Sequence, residues 1–215
     1  MHTSSGPSIE IRKLGRIPFA EALAVQNELR EDRLAGAGTD TVLLLEHPDT
    51  ITFGRASRPE NAPLSDSELR CAGYEVFRIQ RGGDVTYHGP GQLVGYPIFD
   101  LAQRGRDLHR YLRTLESVLI ETLAAFGIPA CRREGYTGVW IDERRKIASI
   151  GIGLRRWVTL HGFALNVCCD LERFDAVVPC GLPEAEMINM CEFSASLEVS
   201  EVLPRLEAAL CKEFG

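Results

Sequence analysis

The sequence has no apolar run long enough to span a bilayer, for which a helix needs about 20 residues, so no membrane span is expected. Its seven cysteines are odd in number and do not form a disulfide framework, which points to a reducing, cytoplasmic setting. Positive charge is scarce: 24 Lys and Arg stand against 30 Asp and Glu, a net −6 that argues against general nucleic-acid binding. The opening residues, Met1 to Pro7, are polar and lack an apolar signal core, and Arg12, Lys13 and Arg16 alone make a poor transit peptide. There is no internal repeat and no low-complexity linker, so the 215 residues are expected to form one domain, 1–215, large enough to bury a substantial core. Nucleotide fingerprints are missing too. The glycine-rich stretch after Arg81 is not followed by Gly-Lys-Ser/Thr, and Gly151-Ile152-Gly153 lacks the third glycine of a dinucleotide loop. The adjacent Cys168-Cys169 pair does not match zinc spacing, and neither metal nor cofactor is expected.

What charge there is lies unevenly. Residues 104–156 hold eleven Arg or Lys and six Asp or Glu, a local +5 within a chain of net −6. A solvated charged face is the plain explanation. A docking surface for an acidic protein partner is the functional one, with Arg132, Arg133, Arg144 and Arg145 as its candidates.

Apolar spacing predicts the elements. Pro18 opens a helix with Ala22, Val25 and Leu29 on one face and Gly36 beyond its end. Thr41–Glu46 reads as a buried strand, and Ser65-Asp66-Ser67-Glu68 as the capping box of a short helix. Phe77 and Ile79 alternate with Arg78 and Gln80, so a strand delivers the glycine-rich loop and Leu93–Phe99 leaves it. After Asp107, a stripe of Leu108, Tyr111, Leu112, Leu115, Leu119, Leu123 and Phe126 predicts a long amphipathic helix, stopped by Gly127. Thr137–Ile141, Lys146–Leu154 and Trp157–Cys168 read as an antiparallel meander, and Glu201–Phe214 as a last helix with Leu203, Leu206 and Leu210 inward. Hairpins with a few helices predict an α+β fold, a mixed sheet with packed helices, and not a doubly wound parallel sheet.

Four segments carry chemistry. In Val178-Pro179-Cys180-Gly181 the proline restricts φ on one side of the thiol and the glycine frees the backbone on the other, a context suited to presenting a nucleophile and also found in inert turns. The stretch from Arg81 to Gln92 opens a run with five glycines between residues 82 and 95, more than one turn needs, allowing backbone to approach something narrow such as an acyl chain. Within it Arg81 suits a phosphate or carboxylate, and His88 a carbonyl or a proton shuttle. Lys146 heads an apolar strand. Alone it is a solvated turn residue; folded over Cys180 it favours the thiolate and exchanges protons. His161 and Asn166 lie in a third block, where simple parity puts His161 on one face with Phe163, Leu165 and Val167; a buried histidine satisfied by backbone is the alternative. Cys71, Cys131, Cys191 and Cys211 read as small packing residues.

In this order the four blocks resemble the lipoyl(octanoyl) transferase family over roughly Thr41 to Phe193, a motif-bearing core of about 41–193. The resemblance implies the fold of the biotin and lipoate protein ligase catalytic domain. It also implies catalytic roles for Cys180 and Lys146, and substrate contacts from Arg81, Gly82, Gly83, Asp84, Val85, Thr86, Tyr87 and His88, from Ala148, Ser149 and Ile150, and from His161, Gly162 and Phe163. The implied donor is octanoyl-acyl carrier protein. The implied acceptors are lysines of lipoyl domains of 2-oxoacid dehydrogenases and of the glycine-cleavage H protein, reached through an acyl-enzyme thioester on Cys180. Two rivals stay open: an ATP-dependent lipoate or biotin ligase on the same fold, which has no need of Cys180, and a non-catalytic carrier-protein binding module.

Overall fold

A computed structural model of the chain describes residues 8–178, 181–182 and 184–215. In chain order the elements are β1 (Ile9–Arg16), α1 (Phe19–Leu34), β2 (Asp40–Glu46), β3 (Thr50–Phe53), α2 (Asp66–Cys71), β4 (Glu75–Arg78), β5 (Val85–His88) and β6 (Gln92–Ile98). They continue with α3 (Leu108–Ala124), β7 (Val139–Trp140), β8 (Arg145–Arg155), β9 (Val158–Asn166), β10 (Glu186–Met187) and α4 (Val199–Phe214). Two sheets result. The larger runs β1-β2-β6-β9-β8-β10, with β7 also paired to β8, and the smaller is β4-β3-β5. The pairs β2–β6, β6–β9 and β8–β9 are antiparallel, while β1–β2 and β10–β8 are parallel, so the larger sheet is mixed. Among the described residues no helix is long and apolar enough to cross a membrane.

Helices α3 and α4 cover one face of the large sheet. Leu115, Leu119 and Leu123 of α3 meet Leu206 and Leu210 of α4 over Leu93, Ile147 and Leu165, all buried. The stripe predicted for α3 is therefore its inner face; Asp107 caps the helix by accepting from the Arg110 N–H, and Gly127 follows at φ 70°. Glu116, next to that stripe, is also fully buried, which the pattern did not foretell. The capping box at Ser65 forms as read, with both reciprocal bonds present.

Helix α1 covers the opposite face, against Leu43, Val94 and Tyr96. Its start at Phe19 follows Pro18, and Ala22, Val25 and Leu29 face the core as expected. Ala22 is buried and Val25 and Leu29 are half-buried, while Gln26 and Arg33, which the pattern did not mark, are also buried. Each answers a buried polar need. Gln26 Oε1 accepts the His161 N–H at 3.0 Å, and Arg33 Nε lies 3.0 Å from Asp40 Oδ1. Strand β1 was not anticipated, although Ile9 and Ile11 alternate with Glu10 and Arg12 in the period of a strand.

Most of the basic segment is already engaged. Arg104 pairs with Asp40, Arg113 and Arg132 with Glu116, Arg145 with Asp142 and Arg155 with Glu31. Arg133 lies 4.2 Å over the Tyr136 ring and 4.9 Å over Trp140. Arg132 neutralises a buried carboxylate while its side chain stays 41 % exposed, and Arg133 packs on aromatic faces, so both carry structural contacts whatever part they take in docking. Packing also fails to describe Cys71, Cys131 and Cys211, which are exposed.

Candidate active site

The glycine-rich loop runs from the end of β4 to β5 and is pinned on both sides. The Arg55 N–H donates to Arg81 O at 3.0 Å, from the end of β3, and the Gly82 N–H donates to Ile152 O at 2.9 Å, on β8. That crossing explains the glycines of β8. A Cβ at Gly151 would lie 3.1 Å from Gly82 O, and one at Gly153 would lie 2.7 Å from Gln80 O, so side chains there would push the loop off the strand. Gly151-Ile152-Gly153 is thus a seat for the loop.

Between the loop, β8, β9 and α3 lies a cavity of about 430 Å³. Of the predicted site residues, Arg81, Gly82, Gly83, Asp84, Val85, Thr86, His88, Lys146, Ser149, Ile150, His161, Gly162 and Phe163 line it. Tyr87 and Ala148 do not. Neighbouring strand residues point to opposite faces, and Tyr87 turns away to donate to Asp49 Oδ1 at 2.7 Å, while Ala148 joins the core under α3. Sequence reasoning missed Phe19, Tyr96, Tyr136 and Leu182 as wall residues. Leu108 and Leu112 of α3 also line the cavity, although their spacing marked them as core.

Cys180 lies outside the described residues, but its surroundings reach the cavity. The Val178 N–H donates to Asn61 O at 2.8 Å, and the Gly181 N–H donates to Val178 O at 3.1 Å. Asn61 Nδ2 in turn donates to Asp84 Oδ2, and a Cβ on Gly181 would come within 2.7 Å of that same oxygen. Leu182 is on the wall.

Lys146 is 2 % exposed, with Nζ 5.1 Å from the centroid of the Trp140 ring. Arg81 is also buried; it donates from Nη2 to Thr52 O at 2.7 Å and to Thr52 Oγ1 at 3.0 Å, and from Nη1 to Gly82 O at 3.0 Å. Much of the guanidinium fork is therefore occupied in bracing its own loop.

Three histidines cluster beside the cavity, and hydrogen bonds define two of their tautomers. His47 Nδ1 sits 2.9 Å from Ile17 O, which can only accept, so Nδ1 carries the proton and Nε2 accepts from the Tyr96 hydroxyl at 2.7 Å. Asn166 Nδ2 donates to Ile188 O, Gln92 Nε2 donates to Asn166 Oδ1, and Gln92 Oε1 is left to accept from His88 Nδ1 at 2.8 Å. His88 Nε2 is then an acceptor, so the reading of His88 as a donor to a carbonyl is corrected. His161 adopts φ 60°, and its ring lies 6.3 Å from Tyr96 of the α1-side core while Phe163, Leu165 and Val167 pack under α3. The expected parity is interrupted at that residue.

Burial lowers all three imidazoles, His47 to about 4, His88 to about 3 and His161 to about 3, with His47 adding to the effect at His88 and Arg81 at His161. They are neutral at pH 7. The unfolded chain takes up these protons below its ordinary value of about 6.5 while the folded chain does not, so stability is complete above that pH and falls as pH drops. We expect a loss of roughly 2 kcal/mol per histidine by pH 5, seen as a falling urea midpoint. His47→Gln should flatten the slope; a midpoint unchanged between pH 7 and pH 5 would contradict the buried neutral cluster.

Two other thiols are poorly suited to attack. Burial pushes Cys169 up to about 12; burial, then a hydrogen bond with Cys168, push Cys191 up to about 11. Among the described residues no group of three or more His, Cys, Asp or Glu is placed to hold a metal.

The fold is similar to that of the lipoate and biotin protein ligase catalytic domains. A bi-partite lipoate protein ligase from Thermoplasma acidophilum superposes with a TM-score of 0.73 at 18% identity, covering 96% of this chain and 84% of that one. The biotin protein ligase of Aquifex aeolicus does so at 0.53 and 13% identity, covering 95% of this chain and 68% of the other. The α+β expectation holds in this form, with a mixed sheet between helical layers. The chain belongs to the lipoyl protein ligase A/B catalytic domain family, whose model matches residues 18–211, and within it to the octanoyltransferases. The octanoyltransferase of Syntrophotalea carbinolica is 53% identical to it over 182 residues, 85% of this chain and 82% of that protein.

Proposed function

We propose that this chain transfers an octanoyl group from octanoyl-acyl carrier protein to a lysine of a lipoyl-carrier domain, through a thioester on Cys180. The observation that carries the reading is the single cavity shared by the Arg81–Val85 loop, Lys146 and the β9 histidine block, with Leu182 on its wall. Its walls are largely apolar, from Phe19, Ile79, Leu108, Leu112 and Phe163, as an acyl chain requires.

In the first half-reaction the Cys180 thiolate attacks the donor carbonyl. The new C–S bond forms as the old one breaks, and the carrier thiol leaves with a proton supplied by Lys146. In the second, the acceptor amine attacks the acyl-enzyme. A C–N bond forms, the Cys180 sulfur leaves, and the proton lost by the amine returns to the lysine and thiolate pair. Exchange between thioesters is nearly balanced and thioester to amide runs downhill, so no ATP is consumed. Low local dielectric strengthens the attraction between a lysine ammonium and a thiolate held close to it.

The test is transfer itself. Octanoyl-acyl carrier protein and a lipoyl domain, mixed with the enzyme and no nucleotide, should give a lipoyl domain heavier by one octanoyl group. A strict requirement for ATP would turn the assignment to a ligase, and carrier binding without transfer would reduce the chain to a docking module.

A further inference from the structure

Glu116 is a carboxylate in the core, its side chain 1 % exposed. Three donors surround it. Arg113 Nη1 lies at 2.7 Å and Arg132 Nε at 2.9 Å from Oε2, while the Gly138 N–H donates to Oε1 at 3.1 Å. Desolvating a carboxylate is costly unless its lone pairs are met, so these contacts are tightly coupled.

They hang one loop on one helix. Cys131 and Trp140 close the loop by exchanging backbone bonds at 2.7 and 2.9 Å. Between them, Gly135, Tyr136 and Thr137 face the cavity. Gly138 adopts φ 128°, and a Cβ there would lie 2.8 Å from Lys146 Cε and 3.2 Å from its Nζ. Lys146 therefore lies across the bare face of Gly138, with the Trp140 ring beside its ammonium.

We propose that Glu116 is a positioning residue for Lys146: by holding the Gly138 N–H, it keeps Gly138 and Trp140 as the wall that sets the place of the ammonium in the cavity. The inference rests on the role proposed above for Lys146. Glu116 touches no reacting atom and acts only through the loop.

The experiment is the pH profile of alkylation at Cys180, located by peptide mapping, together with single-turnover octanoyl transfer. Lys146→Ala is the reference. Glu116→Ala should shift the profile in the same direction as Lys146→Ala and slow transfer about tenfold or more, within the ~100-fold range of an acid–base group. The double variant should be no worse than Lys146→Ala, since both changes remove one function. Glu116→Gln retains an oxygen for the Gly138 N–H and should recover much of the wild-type profile. A folded Glu116→Ala protein with the wild-type profile, or additive losses in the double variant, overturns the inference. Should Glu116→Ala not fold, Gly138→Ala displaces the lysine without touching the carboxylate, and a wild-type profile there overturns it equally. An unmoved profile in Lys146→Ala itself would instead bring down the role of the lysine, and the positioning role with it.

Discussion

Cys180→Ala is expected to abolish both the acyl-enzyme and transfer, by ~10⁴–10⁶-fold, the scale on which removing a nucleophile acts. The thioester mechanism has no substitute for the sulfur. Cys169 and Cys191 are poor substitutes, because burial holds both as thiols well above neutral pH. The change removes one sulfur atom next to Gly181, whose N–H bond to Val178 O does not involve the side chain. Circular dichroism and the urea midpoint should therefore match the wild type. Substantial transfer by a folded Cys180→Ala protein, or an adduct that persists on Cys168, would require another mechanism.

Lys146→Ala is expected to slow transfer by ~100-fold or more, the usual scale for a lost acid–base group, and to make Cys180 titrate at higher pH. The first effect follows from losing the proton carrier, and the second from losing the positive charge that favours thiolate. Because Lys146 is buried against Trp140, alanine also removes packing. Lys146→Met separates the two, since its stem still covers the ring. Equal losses in the two variants assign the effect to the ammonium. Unchanged turnover with an unchanged alkylation profile would return Lys146 to the role of a structural residue.

Elements whose signal is local were legible in the sequence. The α3 stripe, the Ser65 capping box and the β8–β9 hairpin all rest on spacings within one element or one turn. The blocks of glycine, histidine and lysine were each visible, but that the loop and the two strands share one cavity was implied by the family resemblance and not by spacing. What stayed hidden depends on partners far apart in sequence. Glu116 lies 16 residues from Arg132 and 22 from Gly138, so on the helix alone it reads as a solvated acid beside an apolar stripe. Gln26 is buried because a strand residue 135 positions away presents an N–H at left-handed φ. The +5 segment shows the same limit: its charges read as a surface, while the folded chain spends some of them on the buried Asp40 and Glu116. Leu108 and Leu112 were placed on the right face of α3, but no pattern tells a leucine that meets the core from one that meets a cavity.

The central claim is that the octanoyl group rests on Cys180 between donor and acceptor. The most direct measurement is the intact mass of the wild-type enzyme after mixing with octanoyl-acyl carrier protein alone, followed by peptide mapping. One octanoyl group on the peptide containing Cys180, discharged when a lipoyl domain is added, is the predicted result. An enzyme that turns over while never carrying the acyl group, or that carries it on another residue, would contradict it.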